Sequence, residues 1–374
     1  MKDVIYVDNA ATTRLDVDAY EAMKKFLLDE YANPSQPYAF SRVPKNAIKE
    51  ARRTIAECIG AERDDEIVFT SGGTESNNWV IKVCSGSDGD VFTSEIEHHA
   101  ILNSCKSLER LDRNVKYIPV DSKGIIDIEY LKNRVNKTTS LVSVMLANNE
   151  IGTIQPIQCI SEITRKQGCL LHTDAVQAVG HIPVNVQELG VDLLSASAHK
   201  FNGPRGVGFL YIRHGVSVDS FIDGGRQEYG LRAGTENVAS IVAMAVALKK
   251  NCSQMEENRK KIELMEKRLI TELKTNEIDF IINGANDKLP GIISLSFRGF
   301  EGEALLHRLD LMGICVSTGS ACDSVNTRLS HVIKAINVPR EYANGTIRIS
   351  LGKSNTNEEV SKIVYCLNKI IKGI

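Results

Sequence analysis

Residues 191–208 read VDLLSASAHKFNGPRGVG. Val191, Leu193 and Leu194 predict a short buried strand. Four small residues, Ser195 to Ala198, lead on to His199 and Lys200, and glycines stand at 203, 206 and 208. A lysine just past a buried strand, hemmed by small side chains, runs its stem through crowded space and ends its amine among other polar groups. Desolvation lowers the pKa of such an amine and leaves it a neutral nucleophile toward a carbonyl, which is what a Schiff-base lysine requires. A lysine that only caps a strand end produces the same local pattern, so the rest of the chain decides between the two.

Outward from this stretch, strand ends carrying polar residues recur. In EIVFTSGGTESNNWVIKV, residues Ile67, Val68 and Phe69 predict a strand that enters Thr70-Ser71-Gly72-Gly73-Thr74-Glu75-Ser76, with a helix starting at the glycines. Strand, glycine turn and helix start aim backbone N–H groups and a helix dipole at an anion. The hydroxyls of Ser71, Thr74 and Ser76 suit phosphate oxygens. The G-K-[ST] ending of a Walker loop is missing, and an ordinary capped turn is the alternative. VFTSEI precedes the helical HHAILNSCKSLERL; after YIPV, the run TSLVSVMLANNEIG ends in Asn148-Asn149-Glu150; a helix over Ile157 to Gln167 precedes CLLHTDAVQAVG, with Asp174 and Gln177 at the strand end. This alternation predicts an α/β fold whose large domain holds a mostly parallel sheet with helices on both faces and ligands at the carboxyl ends of its strands. Thr74, His98, Asn149, Asp174, Ser197 and Lys200 all fall at or just after expected strand ends.

The flanks are organised differently. VIYV (4–7) predicts a short strand entering the small-residue turn Asp8 to Thr13. Helical spacing runs from Asp16 to Tyr31 and from Lys45 to Gly60, the latter stopping at glycine. Between them ANPSQPYAFSRVP, with three prolines, reads as a loop. From Asn237 one long helical pattern continues to about Thr275, leaving the large domain. The remainder is a smaller α+β unit with strands at IDFII, GIISLSF and TIRISL and helices at GEALLHRLDLMG, LSHVIKAI and NEEVSKIVYCLNKII. The expected division is 15–258 for the large cofactor-binding domain, and 1–14 with 259–374 for the small one. In the latter, VSTGSACDSVNTR (316–328) is a glycine- and serine-rich mobile loop with Cys322 near its tip. Alone, such a cysteine is most simply an unimportant thiol.

The bulk properties narrow the function. At 374 residues with 43% hydrophobic content, the chain can fill two sizeable cores. A formal net charge of −2 argues against a dedicated nucleic-acid binder. No apolar run is long enough to cross a bilayer, and MKDVIYVDNAATT lacks a signal peptide's apolar region, so the expected compartment is the cytoplasm. The nine cysteines include no C-x-x-C pair, so no zinc knuckle or thioredoxin-type motif, and no metal site, is expected.

A lysine bearing pyridoxal phosphate needs an aldimine-forming amine, a phosphate cradle and a carboxylate on the pyridine nitrogen. Lys200 supplies the first. Gly72-Gly73, Thr74, Ser197 and His199 supply the second, and Asp174 the third, while His98 offers a planar neighbour for the ring.

At this point the residues become recognisable. From VDNAATT through FTSGGTESNN, EHHA, NNEIG, HTDAVQ, SASAHK, GLRAGTEN and STGSACDS to IRISLG, the chain resembles the cysteine desulfurases of the NifS/IscS type, in the class V aminotransferase group of fold type I pyridoxal-phosphate enzymes. STGSACDS is the most specific of these motifs, because other class V enzymes lack a cysteine there. The resemblance implies a homodimer that takes sulfur from L-cysteine, leaves L-alanine, and holds the sulfur as an enzyme persulfide for an acceptor protein of the scaffold or tRNA-modifying kind. It implies Lys200 as the cofactor-bearing lysine, Asp174 as the pyridinium partner, and His98 stacked on the ring and handling the substrate thiol proton. Asn149 and Gln177 would contact the ring's phenolic oxygen. Gly73, Thr74, Ser197 and His199 would hold the phosphate, with Thr235 reaching in from the other subunit. Arg348, with Asn149, would bind the substrate carboxylate, and Cys322 would be the nucleophile. Selenocysteine lyase or an ordinary class V aminotransferase is the alternative activity; a sulfur-carrier scaffold without catalysis is the non-enzyme alternative. Two positions depart from the pattern. NPSQPYAFSR lacks the histidine and glycine that usually follow N-P-S, and Asp323 stands where a small hydroxyl residue is common, its carboxylate disfavouring a thiolate at Cys322.

Overall fold

The computed structural model describes residues 4–86, 88–319 and 329–373. In chain order the strands are β1 (Ile5–Tyr6), β2 (Ile67–Thr70), β3 (Asp90–Ser94), β4 (Val115–Ile118), β5 (Thr139–Ser143), β6 (Leu170–Asp174), β7 (Leu193–Ser197), β8 (Gly208–Ile212), β9 (Phe280–Asn283), β10 (Ile292–Phe297), β11 (Ile314–Cys315) and β12 (Thr346–Ser350). Seven of them form one sheet in the order β2-β8-β7-β6-β5-β3-β4. The pairs from β4 to β7 run parallel, whereas β8 is antiparallel to both β7 and β2. The reversed β8 restores the common direction in β2, so the carboxyl ends of six strands share one rim.

Both faces of this sheet are buried, which is why its strands read as unbroken apolar runs rather than alternating ones. Successive residues point to opposite faces. Phe69, Phe92, Val142, Leu171, Leu194 and Phe209 enter one core with the helices Arg42–Ile59, Ile157–Gln167 and Val238–Ser253. Their neighbours Val68, Val91, Leu141, Leu193 and Leu210 enter another with Trp79, Ile101 and Leu108 of the helices Gly73–Trp79 and His99–Glu109. The α/β expectation holds.

A second, smaller core lies beneath the antiparallel sheet β12-β10-β9, where Ile293, Leu295, Ile347 and Ile349 meet Leu269, Leu273, Val360 and Leu367 of the helices Met255–Thr275 and Asn357–Lys372. Beside it β1 pairs with β11 in parallel. Val7 belongs to this core and Ala10 to the first. The short segment between them is pinned to the end of β12 by Ser350 N–H to the Val7 carbonyl (2.7 Å) and Asn9 N–H to the Ser350 carbonyl (3.3 Å).

Three local expectations are corrected. The helix expected over Asp16 to Tyr31 spans Val17–Leu28, with Asp16 as its cap, accepting from the Asp18 N–H at 2.9 Å. The proline-rich loop ends early: a helical turn at Ala39–Ser41 leads straight into Arg42–Ile59, and Pro44 sits in the first turn, where its missing N–H costs no hydrogen bond. The pattern from Asn237 to Thr275 is two helices that break at Gln254 (φ −106°, ψ 7°). The apolar half packs into the first core and the charged half into the second, and one straight rod does not serve both.

Candidate active site

The shared rim of the large sheet and the Val7–Thr13 segment enclose a cavity of about 440 Å³. Gly73, Thr74, His98, Asn149, Asp174, Gln177, Ser197, His199, Lys200 and Arg348 all line it. The six residues read at separate strand ends, and four more taken from the turn, the lysine's neighbour and the family resemblance, thus line one cavity.

The Lys200 amine donates to the carbonyls of Ala10 (2.7 Å) and Ala11 (2.8 Å). The Ala10 carbonyl also accepts from Gln177 Nε2 at 3.0 Å. The N-terminal segment therefore fixes where both side chains begin. Asp174, at the end of β6, is 5% exposed; its Oδ2 accepts from Asn77 Nδ2 (2.6 Å) and its Oδ1 from the Val176 N–H (3.0 Å). These two contacts fix the orientation of the carboxylate.

On the other side lies the glycine turn. Gly72 adopts φ +144°, and a side chain on Gly208 would reach 2.7 Å from the Gly72 Cα, so both positions require glycine for the turn to lie against β8. Ser71 and Thr74 line the cavity, but Ser76 does not. Its hydroxyl is fully buried against Thr70 Oγ1 (2.9 Å) and the Phe209 carbonyl, because three residues into the helix the side chain faces the sheet. Ser76 is struck from the anion cradle.

Burial disfavours the charged form of both histidines. Burial pushes His199 down to about 4, with Lys200 and Arg205 adding to the shift, and its Nδ1 lies 3.2 Å from Thr12 Oγ1. Burial likewise lowers His98, whose Nδ1 accepts from the Ala100 N–H at 3.1 Å and caps the following helix. That leaves the His98 proton on Nε2.

Arg348, 3% exposed, comes from β12 of the smaller sheet. Its Nη2 pairs with Asp8 (2.7 Å), its Nη1 donates to the Asn149 carbonyl (2.8 Å), and its buried Nε has no hydrogen-bond partner among the described residues. A buried guanidinium with N–H donors to spare is suited to a second carboxylate.

The residues align with known proteins along the whole chain. The class V aminotransferase profile matches residues 5–363. A cysteine desulfurase IscS of Dictyoglomus turgidum is 49% identical over 379 residues, covering 100% of this chain and 96% of the relative. One from Methanosarcina thermophila is 42% identical, covering 99% and 92%. The chain belongs to the cysteine desulfurases of the IscS/NifS type. Among solved structures, a NifS-like protein superposes with a TM-score of 0.93 at 39% identity, covering 99% of the desulfurase described here and 100% of that chain. The apo cysteine desulfurase of Thermococcus onnurineus NA1 gives 0.88 at 27%, covering 100% and 96%.

Two expected site residues of the desulfurase stand apart. Cys322 lies outside the described residues. Thr235 is exposed and does not line the cavity of its own chain. Its segment is nevertheless held firmly. Arg232 forks onto Glu75 (2.9 and 3.1 Å), and Arg52 makes a buried bidentate pair with Glu228 (both 2.7 Å). Asp8, Asn77 and Arg205 also line or support the cavity and were not expected. Arg205 Nε donates to Thr12 Oγ1 at 3.2 Å. A polar residue in the motif VDNAATT was the one available signal for Asp8; nothing in the sequence set Asn77 apart from Asn78.

Proposed function

We propose that this desulfurase uses pyridoxal phosphate held at Lys200 to remove sulfur from L-cysteine, stores it as a persulfide on Cys322, and releases L-alanine. The observation that carries the reading is the single cavity that joins the Lys200 amine, the Asp174 carboxylate and the Gly72–Thr74 turn. These residues fit the cofactor. Lys200 is a primary amine for its aldehyde, and Asp174 a buried carboxylate for its ring nitrogen. The backbone and hydroxyls of Gly73, Thr74 and Ser197, with neutral His199 and cationic Arg205, suit its phosphate. Bound there, pyridoxal phosphate supplies an electron sink for bonds broken next to the substrate's amino group.

The chain's own residues do the remainder. Asn77 and the Val176 N–H hold the Asp174 carboxylate in its orientation. His98 would lie against the ring and offer its Nε2 proton. Asn149 and Gln177 would contact the phenolic oxygen. Arg348 takes the substrate carboxylate while Asp8 and the Asn149 carbonyl hold its plane. Cys322, as thiolate, takes the sulfur atom from the bound amino acid.

We also take residues 15–258 as the cofactor-binding unit and 1–14 with 259–374 as the unit presenting Arg348 and Cys322, in line with the two cores. A homodimer is supported by the anchored, outward-facing Thr235 and by exposed Leu27, Leu28, Tyr31 and Phe40, which a second copy would cover. The eight described cysteines are free, and no helix among the described residues is long and apolar enough to cross a membrane; we place the protein in the cytoplasm, delivering sulfur to an acceptor protein of the scaffold or tRNA-modifying kind.

The test is Cys322→Ala. The purified variant should keep the yellow cofactor absorbance yet form neither sulfide nor alanine from L-cysteine. Full turnover would remove Cys322 from the reaction, and a colourless wild type that takes up no added cofactor would remove Lys200 from its role.

A further inference from the structure

A second cavity, about 70 Å³, lies between the two cores and shares only Ala10 and Gln177 with the first. Its charged lining is of one sign. Arg14, Arg259 and Lys353 face it, and no aspartate or glutamate among the described residues does. The amides of Asn9 and Asn258 join them, over an apolar floor that includes Ile262 and Leu289. Arg14 follows the N-terminal crossing, whereas Arg259 and Lys353 belong to elements of the smaller unit. Like charges are thus set across the seam between the cores, where they repel.

Their existing partners leave capacity. Arg14 makes no ion pair among the described residues. Lys353 reaches Asp16 only at 3.4 Å, and that carboxylate already serves Lys250 at 3.0 Å. Arg259 uses its Nε on Glu263 (2.8 Å) and retains its terminal nitrogens. On the cavity wall, His181 Nε2 lies 2.9 Å from the Lys200 carbonyl oxygen and ties the cavity to the backbone of the cofactor lysine, while burial lowers the His181 pKa and disfavours its charged form.

We infer that this interdomain cavity is a binding site for a compact oxyanion, held jointly by Arg14, Lys353 and Arg259. An anion there turns a repulsive seam into an attractive one and clamps the two cores together behind the active site. The absence of any lining carboxylate specifies the ligand further: a zwitterion would leave its ammonium unpaired, so the site takes a simple carboxylate or phosphate and refuses an amino acid. Space of this size holds a few non-hydrogen atoms and no more.

The experiment is thermal unfolding of the cofactor-loaded enzyme titrated with sodium phosphate, sodium propionate or glycine betaine, the last a zwitterion that cannot form an imine, against sodium chloride at equal ionic strength. Phosphate, propionate or both should raise Tm saturably beyond chloride, and whichever acts identifies the head group; betaine should not. Arg14→Gln and Lys353→Gln should each weaken the apparent affinity by about tenfold, the loss expected for one charge-assisted hydrogen bond. Both variants should retain desulfurase turnover, since neither residue lines the cofactor cavity. A rise no greater than with chloride, an equal rise with betaine, or an unchanged affinity in both variants overturns the inference. The last of these outcomes would assign the anion to Arg348 instead.

Discussion

The two walls of the active-site cavity are built on different terms. The sheet rim carries Asp174, Ser197, His199 and Lys200 within or just beyond strands whose neighbours are hydrogen-bonded along their length, and the sheet is packed on both faces. The opposite wall is Arg348, which reaches the cavity from another sheet with another core and is held there by Asp8 and the Asn149 carbonyl. The first wall is a property of one folded core; the second exists only while two cores stay in register. On the proposed function, the groups that would hold the cofactor sit on the first wall, and the group that would meet the substrate sits on the wall that depends on both cores.

This contrast can be broken at either wall. On the rim, Asp174→Asn should keep the fold and the cofactor but lower turnover on the order of 10²–10³-fold, the usual cost of deleting a charge aimed at the reacting centre; steady-state sulfide production beside the visible spectrum checks it. On the other wall, Arg348→Lys keeps the charge for Asp8 but loses the planar fork. KM for L-cysteine should rise by about 10–100-fold with a smaller change in kcat, consistent with loss of charge-assisted hydrogen bonds. If instead the Arg348 variant lost its cofactor, the two walls would not be separable.

The smallest effect sharpens the account of the rim. Glu97, just before His98, is fully buried, accepts from Ser94 Oγ (2.6 Å) and the Met145 N–H (2.9 Å), and is pushed by burial from 4.5 up to about 8. The folded state thus holds a proton that the unfolded chain gives up above about pH 4.5, so Glu97 favours folding at acid pH and that contribution drains away as pH rises toward 8. Glu97→Gln should therefore flatten the fall in stability between pH 5 and 8, read as the urea midpoint at several pH values. A slope identical to wild type would mean that Glu97 is already ionised in the folded protein.

The rim was legible in the sequence for a physical reason. A fully buried parallel strand is an apolar run, and the first polar residue after it has no place to go except the rim. Asp174, Lys200 and Thr74 were found that way. Ser76 was misplaced because hydroxyls near a glycine turn look alike until the helix phase is known. Asn77 stayed hidden because a buried helical amide carries no local sign of its partner, 97 residues away. Asp8 and Arg348 are 340 residues apart, and no spacing rule reports an ion pair of that range. The break at Gln254 was equally invisible: either half is a good helix, and only the existence of two cores forces the bend.

The clasp between the Val7–Asn9 segment and Ser350 sets an order on how the protein comes into being. The last strand of the large sheet ends at Ile212, yet its rim is not finished there: the helix Val238–Ser253 completes the core, and the segment that meets the Lys200 amine is held by the end of β12. Arg348 in turn depends on Asp8, so the cavity closes only when both ends of the chain are in place.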